Sequence, residues 1–72
     1  MIEMTEKSQK FLEKNLPEAL KLNSCRDILR LLYDFINQNG FAPPHYYDYN
    51  DLGREAQKVY DDIYYQNRQK QN

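Results

Sequence analysis

The chain has little of what usually stabilises a small fold or equips a site. Its 72 residues include one cysteine and one histidine. Cys25 therefore closes no internal disulfide, and one Cys with one His cannot complete the ligand set of a structural zinc site. Long apolar runs are missing too. No stretch approaches the ~20 residues that a bilayer-spanning helix needs. The opening Met1-Ile2-Glu3-Met4-Thr5-Glu6-Lys7 lacks the apolar core of about 7–15 residues that marks a signal peptide. A lone cysteine without an export signal makes the cytoplasm the expected location, with no membrane partner. An excess of one charge is also absent: 10 Lys+Arg stand against 11 Asp+Glu, a formal −1. That balance gives no strong pull towards nucleic acid or anionic lipid.

Length excludes more. At about 100–200 residues per domain there is room for one, so residues 1–72 are read as a single helical domain. A two-domain enzyme, a capped solenoid and a full α/β sheet do not fit. A chain near this size buries only about 60% of its unfolded surface, so a well-formed helical core or oligomerisation must supply the stability.

What is present is helical periodicity. Met4, Ser8, Phe11, Leu12 and Leu16 form one stripe at 3.6 residues per turn, giving a helix over about Thr5–Asn15 with Glu6, Lys7, Lys10, Glu13 and Lys14 opposite. Pro17 ends that helix and opens a short one, Pro17–Leu22, with Asn15 and Glu18 spaced as a capping box. Ser24 is a good N-cap with Asp27 behind it, and Ile28, Leu29, Leu31, Leu32, Tyr33, Phe35 and Ile36 follow. A helix apolar on so many sides is expected at the centre of the bundle. Gly40 would stop it in the left-handed conformation, with Phe41 folding back on Ile36. Ala42-Pro43-Pro44 is extended, and His45 to Asn50 is a loop or single turn. A last helix starts near Asp48 or Asn50 and carries the stripe Leu52, Ala56, Val59, Ile63. Gly53 belongs in its first turn or marks a close backbone approach. Residues 66–72 are polar and expected to fray. The fold class is all-α, a small three-helix bundle, or four with the short second helix. Leu29, Leu32 and Ile36 should meet Leu12, Leu52, Val59 and Ile63.

No motif specifies a reaction, and none implies a cofactor. His45, the only candidate general base, sits in a Pro-Pro-His-Tyr-Tyr loop with no orienting partner beyond Asp48. Cys25 reads as a half-buried small hydrophobe beside Ile28 and Leu29. Asp48, Asp51, Asp61 and Asp62 do not match the frame of a calcium loop, because Gly53 and Glu55 fall at the wrong places. No catalytic or metal site is expected, and the chain is read as non-enzymatic.

Tyrosine is the unusual feature. Six of the seven, Tyr46, Tyr47, Tyr49, Tyr60, Tyr64 and Tyr65, lie within twenty residues, and His45 to Asp62 carries five acids against Arg54 and Lys58. Tyrosine combines large contact area with only two side-chain torsions and a polar tip, which suits interfaces. Two readings compete: a protein-contact face, or tyrosines replacing scarce leucine in an improvised core. Stacking of single-stranded nucleic acid would need a basic groove, and this region is acidic.

The run Asp27-Ile28-Leu29-Arg30, then Phe35-Ile36, Gly40-Phe41, Pro43 and Leu52-Gly53, resembles the opening of the winged-helix DNA-binding domain of LexA-type SOS repressors. The likeness covers under half the chain. It implies a helix-turn-helix regulator acting as a dimer, with Arg54 and Lys58 on phosphate. The chain departs from the pattern where that family's second helix has a buried aliphatic and a small residue, which here are Asp48 and Tyr49. Asp61-Asp62 suits phosphate poorly, and no β-wing pattern follows Ile63.

The favoured reading is a small protein-binding or regulatory module, of the inhibitor, immunity or antitoxin-like kind. Its partner-binding residues are Tyr46, Tyr47, Tyr49, Tyr60, Tyr64 and Tyr65, rimmed by Asp61 and Asp62. The partner is a protein, which can be a second copy of the chain. The alternative is the dimeric DNA-binding regulator.

Overall fold

A computed structural model describes residues 2–43 and 48–68. The chain forms a three-helix bundle: α1 (Glu6–Asn15), α2 (Cys25–Asn39) and α3 (Asp51–Asn67), with a 3₁₀ turn at Pro17–Lys21 between the first two. Among the described residues there is no strand pair beyond an isolated antiparallel bridge between Phe41 and Tyr49, so the β-wing of a winged helix has no counterpart. No helix of the described residues is long and apolar enough to cross a membrane.

Each helix begins where its cap dictates. Thr5 accepts a bond from the Ser8 N–H at 3.2 Å, starting α1. At the other end Asn15 does not cap the next turn; its Nδ2 donates to the Phe11 carbonyl, and Leu16 stands in the cap position without a side-chain bond. Pro17 then opens the 3₁₀ turn, where its missing N–H costs nothing. Ser24 accepts from Asp27 N–H at 3.5 Å and starts α2.

The core is Phe11, Leu12, Leu16, Ala19, Cys25, Ile28, Leu32, Ile36, Ala56, Val59 and Ile63. Leu12, Leu32 and Ile63 have no exposed surface. Phe35 on α2 meets Phe11 on α1 edge to face, with ring centroids 6.0 Å apart. The expectation for the central helix is corrected in part. Leu29 and Leu52 are only half-buried, and Tyr33 is 60% exposed, so α2 is covered on one side rather than all round. The helix that packs against both others is α3, not α2: α1 and α2 each lie on α3 and on the 3₁₀ turn.

The turn from α2 to α3 works differently from the expected left-handed glycine. Gly40 has φ −96° and ψ 3°, an ordinary region, and its N–H closes on the Ile36 carbonyl at 2.8 Å. Glycine is required because two backbones touch. A Cβ on Gly40 would lie 2.8 Å from the Ile36 carbonyl oxygen and 3.0 Å from the Gly53 Cα, and a Cβ on Gly53 would overlap the Gly40 carbonyl. Asn50 fastens the junction. Its Oδ1 accepts from Gly53 N–H at 2.7 Å, capping α3, while its Nδ2 donates to the Asn39 carbonyl at 2.9 Å, capping α2. Phe41 stacks on Tyr49 with centroids 5.1 Å apart.

The C-terminal turn is tied down, contrary to the fraying expected from Gln66 onward. Asn67 is 4% exposed. Its Oδ1 accepts from the Glu3 N–H at 2.9 Å and its Nδ2 donates to the Glu3 carbonyl at 2.7 Å. One side chain thus holds the N-terminal segment as a neighbouring strand would, and Ile2 and Met4 pack onto the core on either side. Residues 69–72 lie outside the described residues.

Candidate functional site

Because Ala56, Val59 and Ile63 turn inward on α3, Tyr60 and Tyr64 form the next ridge round. Tyr60 is half-buried against the core. Tyr64 is 48% exposed and Tyr65, further round, is 66% exposed. On α2 the ridge facing them is Arg26, Leu29, Arg30 and Tyr33, at helical spacings of 3, 1 and 3. The two ridges, with Arg68 at the end of α3, enclose a groove of about 360 Å³ floored by Cys25 and Leu29. Arg68 also lies over the Tyr65 ring, 4.6 Å from its centroid, a cation–π contact that ties Tyr65 to an arginine of the groove.

The structure therefore divides the residues grouped by sequence. Tyr60 and Tyr64 line one groove with Tyr33, the tyrosine outside the cluster, whereas Tyr65 lies further round and is linked to it through Arg68. Tyr49 is placed elsewhere: it is half-buried under Phe41, and its hydroxyl donates to Gln57 Oε1 at 3.2 Å. Tyr46 and Tyr47, with His45, lie outside the described residues.

The expected acidic rim is corrected as well. Asp62 points away from the tyrosines, to the start of α1. Its Oδ2 accepts from the Thr5 N–H at 2.9 Å, the Ser8 hydroxyl at 2.7 Å and the Thr5 hydroxyl at 3.2 Å, and its Oδ1 accepts from Gln66 Nε2. Burial pushes this carboxyl up. The bonds from the Thr5 backbone, Ser8, Gln66 and the Thr5 hydroxyl outweigh it, and the pKa lies below the usual aspartate value. Asp62 is thus a cap for α1 supplied by α3. Asp61 is exposed and accepts from Gln57 Nε2 at 3.0 Å.

In place of acids the groove carries Arg26, Arg30 and Arg68, all exposed. Among the described residues none of the three is ion-paired; the pairs present are Lys10–Glu6 and Arg54–Asp51. Sequence reasoning missed these arginines because two lie on the other helix. The signal was there in the spacing of Arg26, Arg30 and Tyr33, which puts two cations and a ring on one edge of α2.

The cations named for a DNA reader fall elsewhere. Arg54 is engaged by Asp51 at 3.0 Å. Lys58 joins Lys7, Lys10 and Lys14 around a second groove, between α1 and α3, over Phe11 and Val59. Among the described residues no three His, Cys, Asp or Glu side chains converge as metal ligands would. Comparison with protein-family models, characterised proteins and solved structures finds no match.

Proposed function

We propose that this chain is a small non-enzymatic protein-binding module, of the regulatory or inhibitory kind, whose contact face is the α2–α3 side carrying Tyr33, Tyr60, Tyr64 and Tyr65. The observation that carries this is the exposure of Tyr33, Tyr64 and Tyr65 at 60%, 48% and 66% while the aliphatic stripe of α3 fills the core without them. Tyrosine and arginine are among the residue types enriched at binding hot spots, and here both line one groove. The test is affinity capture from source cells with the wild-type chain and with Tyr64→Ala/Tyr65→Ala as baits, read by quantitative mass spectrometry. A specific partner should be enriched by the first and lost with the second, both baits being folded by circular dichroism. Equal capture by both baits would place the contact elsewhere. A second reading, the dimeric DNA-binding regulator, draws on the four lysines gathered between α1 and α3. Duplex binding that falls steeply between two salt concentrations, and is abolished by Lys7→Glu/Lys58→Glu, would favour it.

A further inference from the structure

We infer that the α2–α3 groove receives an acidic amphipathic helix from the protein partner, with carboxylates four residues apart on its edge and apolar side chains against the tyrosines. This rests on the protein-binding reading above and adds the chemistry of the partner. The first argument is charge. The whole chain has a formal charge of −1, yet among the described residues the lining of this groove holds three arginines and no carboxylate. Among the described residues none of these arginines is ion-paired, and Asp27 and Asp34 of the same helix pair with none of them. A matching partner supplies the missing carboxylates, each able to take two parallel N–H···O bonds from one arginine.

The second argument is register. Arg26 and Arg30 are one turn apart on α2, so their stems are about 5–6 Å apart. Glu or Asp residues four apart on a second helix repeat that spacing, and a helix satisfies its own backbone, as a groove between side chains requires. The third is the surface between the cations. Half-buried Leu29 and Tyr60, with the exposed faces of Tyr33 and Tyr64, offer apolar area that hydrophobic residues of the partner can cover. A nucleic-acid strand fits less well. It needs cations tracking a phosphate chain from nucleotide to nucleotide, whereas the cations here are three arginines confined to one groove.

The experiment is a titration of the isotope-labelled full chain, followed by amide chemical shifts. The probes are a synthetic helical peptide with Glu at i, i+4 and i+8 and Leu between them, its Lys-for-Glu counterpart, a shuffled peptide of the same composition, and oligothymidylate. The acidic peptide should bind saturably, shifting Leu29, Tyr33, Tyr64 and their neighbours. Arg26→Glu/Arg30→Glu, and more mildly Arg26→Gln/Arg30→Gln, should weaken it by at least about tenfold. Lys7→Glu/Lys10→Glu, in the other groove, should change it by less than about twofold. Absence of saturable binding, equal binding of the lysine or shuffled peptide, indifference to the arginine variants, or preference for oligothymidylate would overturn the inference. Tyr64→Ala separates the two levels. Binding that needs Tyr64 but not the arginines keeps the contact face and discards the acidic partner. Binding indifferent to all three discards both.

Discussion

Replacing Asp62 with Asn probes a contact that joins the start of α1 to α3 through a charge. The carboxylate accepts from two side-chain hydroxyls, one backbone N–H and one amide, and its bonds to Thr5 bridge 57 residues of sequence. Asn keeps the shape and one acceptor oxygen but turns an NH₂ group towards donors. Whichever way the amide points, either the Thr5 and Ser8 donors or the Gln66 donor lose their acceptor. A hydrogen bond to a charged group contributes about 1.5–3 kcal/mol, and a neutral one about 0.5–1.5. Because the site is partly exposed, water takes over some of the lost bonding, and the expected net cost is about 1–2 kcal/mol at pH 7. In a domain this small that lowers the melting temperature by roughly 4–8 °C for each kcal/mol.

The pH dependence carries a sign. The pKa of Asp62 is lowered by folding, so its contribution is fully present above the unfolded value, about 3.9. It is lost as pH falls through the lower folded value. Wild type and Asp62→Asn should therefore differ most near neutrality and converge in acid, as followed by circular dichroism melts from about pH 7 to pH 2. Equal melting temperatures at pH 7, or a difference that stays constant into acid, would refute the reasoning.

Two further outcomes follow from the packing. Leu32→Ala empties a site with no exposed surface and should cost about 2–5 kcal/mol, measured by urea unfolding; a loss under about 1 kcal/mol would mean that Leu32 is not packed in the core. Gly53→Ala should destabilise by about 1–3 kcal/mol although alanine is the better helix former, because its Cβ would overlap the Gly40 carbonyl; a gain in melting temperature would show that the two backbones are not in contact.

The helices were legible because their apolar stripes repeat at the helical period and their caps are local. Thr5, Ser24 and Asn50 each act on N–H groups three residues away. What was not legible depends on partners far along the chain. Gly40 looked like a left-handed helix stop because sequence shows only its neighbours, whereas its constraint is shared between the Ile36 carbonyl one turn back and Gly53 on α3. Two polar residues on apolar stripes did carry a signal. Ser8 lies with Phe11 and Leu12, and Asn67 continues Val59 and Ile63 at spacing four, so both had to find buried partners. They found Asp62 and Glu3.

The candidate face was half visible. Adjacency in sequence grouped Tyr60, Asp61, Asp62, Tyr64 and Tyr65, but successive residues on a helix turn by about 100°, which sends Asp62 to α1 and Tyr64 to α2. The charge of the rim depends on α2, and sequence order placed Arg26 and Arg30 thirty or more residues before the α3 tyrosines they join.

The central claim is that Tyr33, Tyr64 and Tyr65 are surface kept for contact, not core borrowed from a chain short of leucine. Urea unfolding of Tyr33→Ala/Tyr64→Ala/Tyr65→Ala tests it most directly. Surface substitutions cost up to about 0.5 kcal/mol each, so the triple variant should lose no more than about 1.5 kcal/mol and keep the wild-type denaturant slope. A loss of about 3 kcal/mol or more, the range of a buried aromatic cut to alanine, or the disappearance of a cooperative transition, would contradict it.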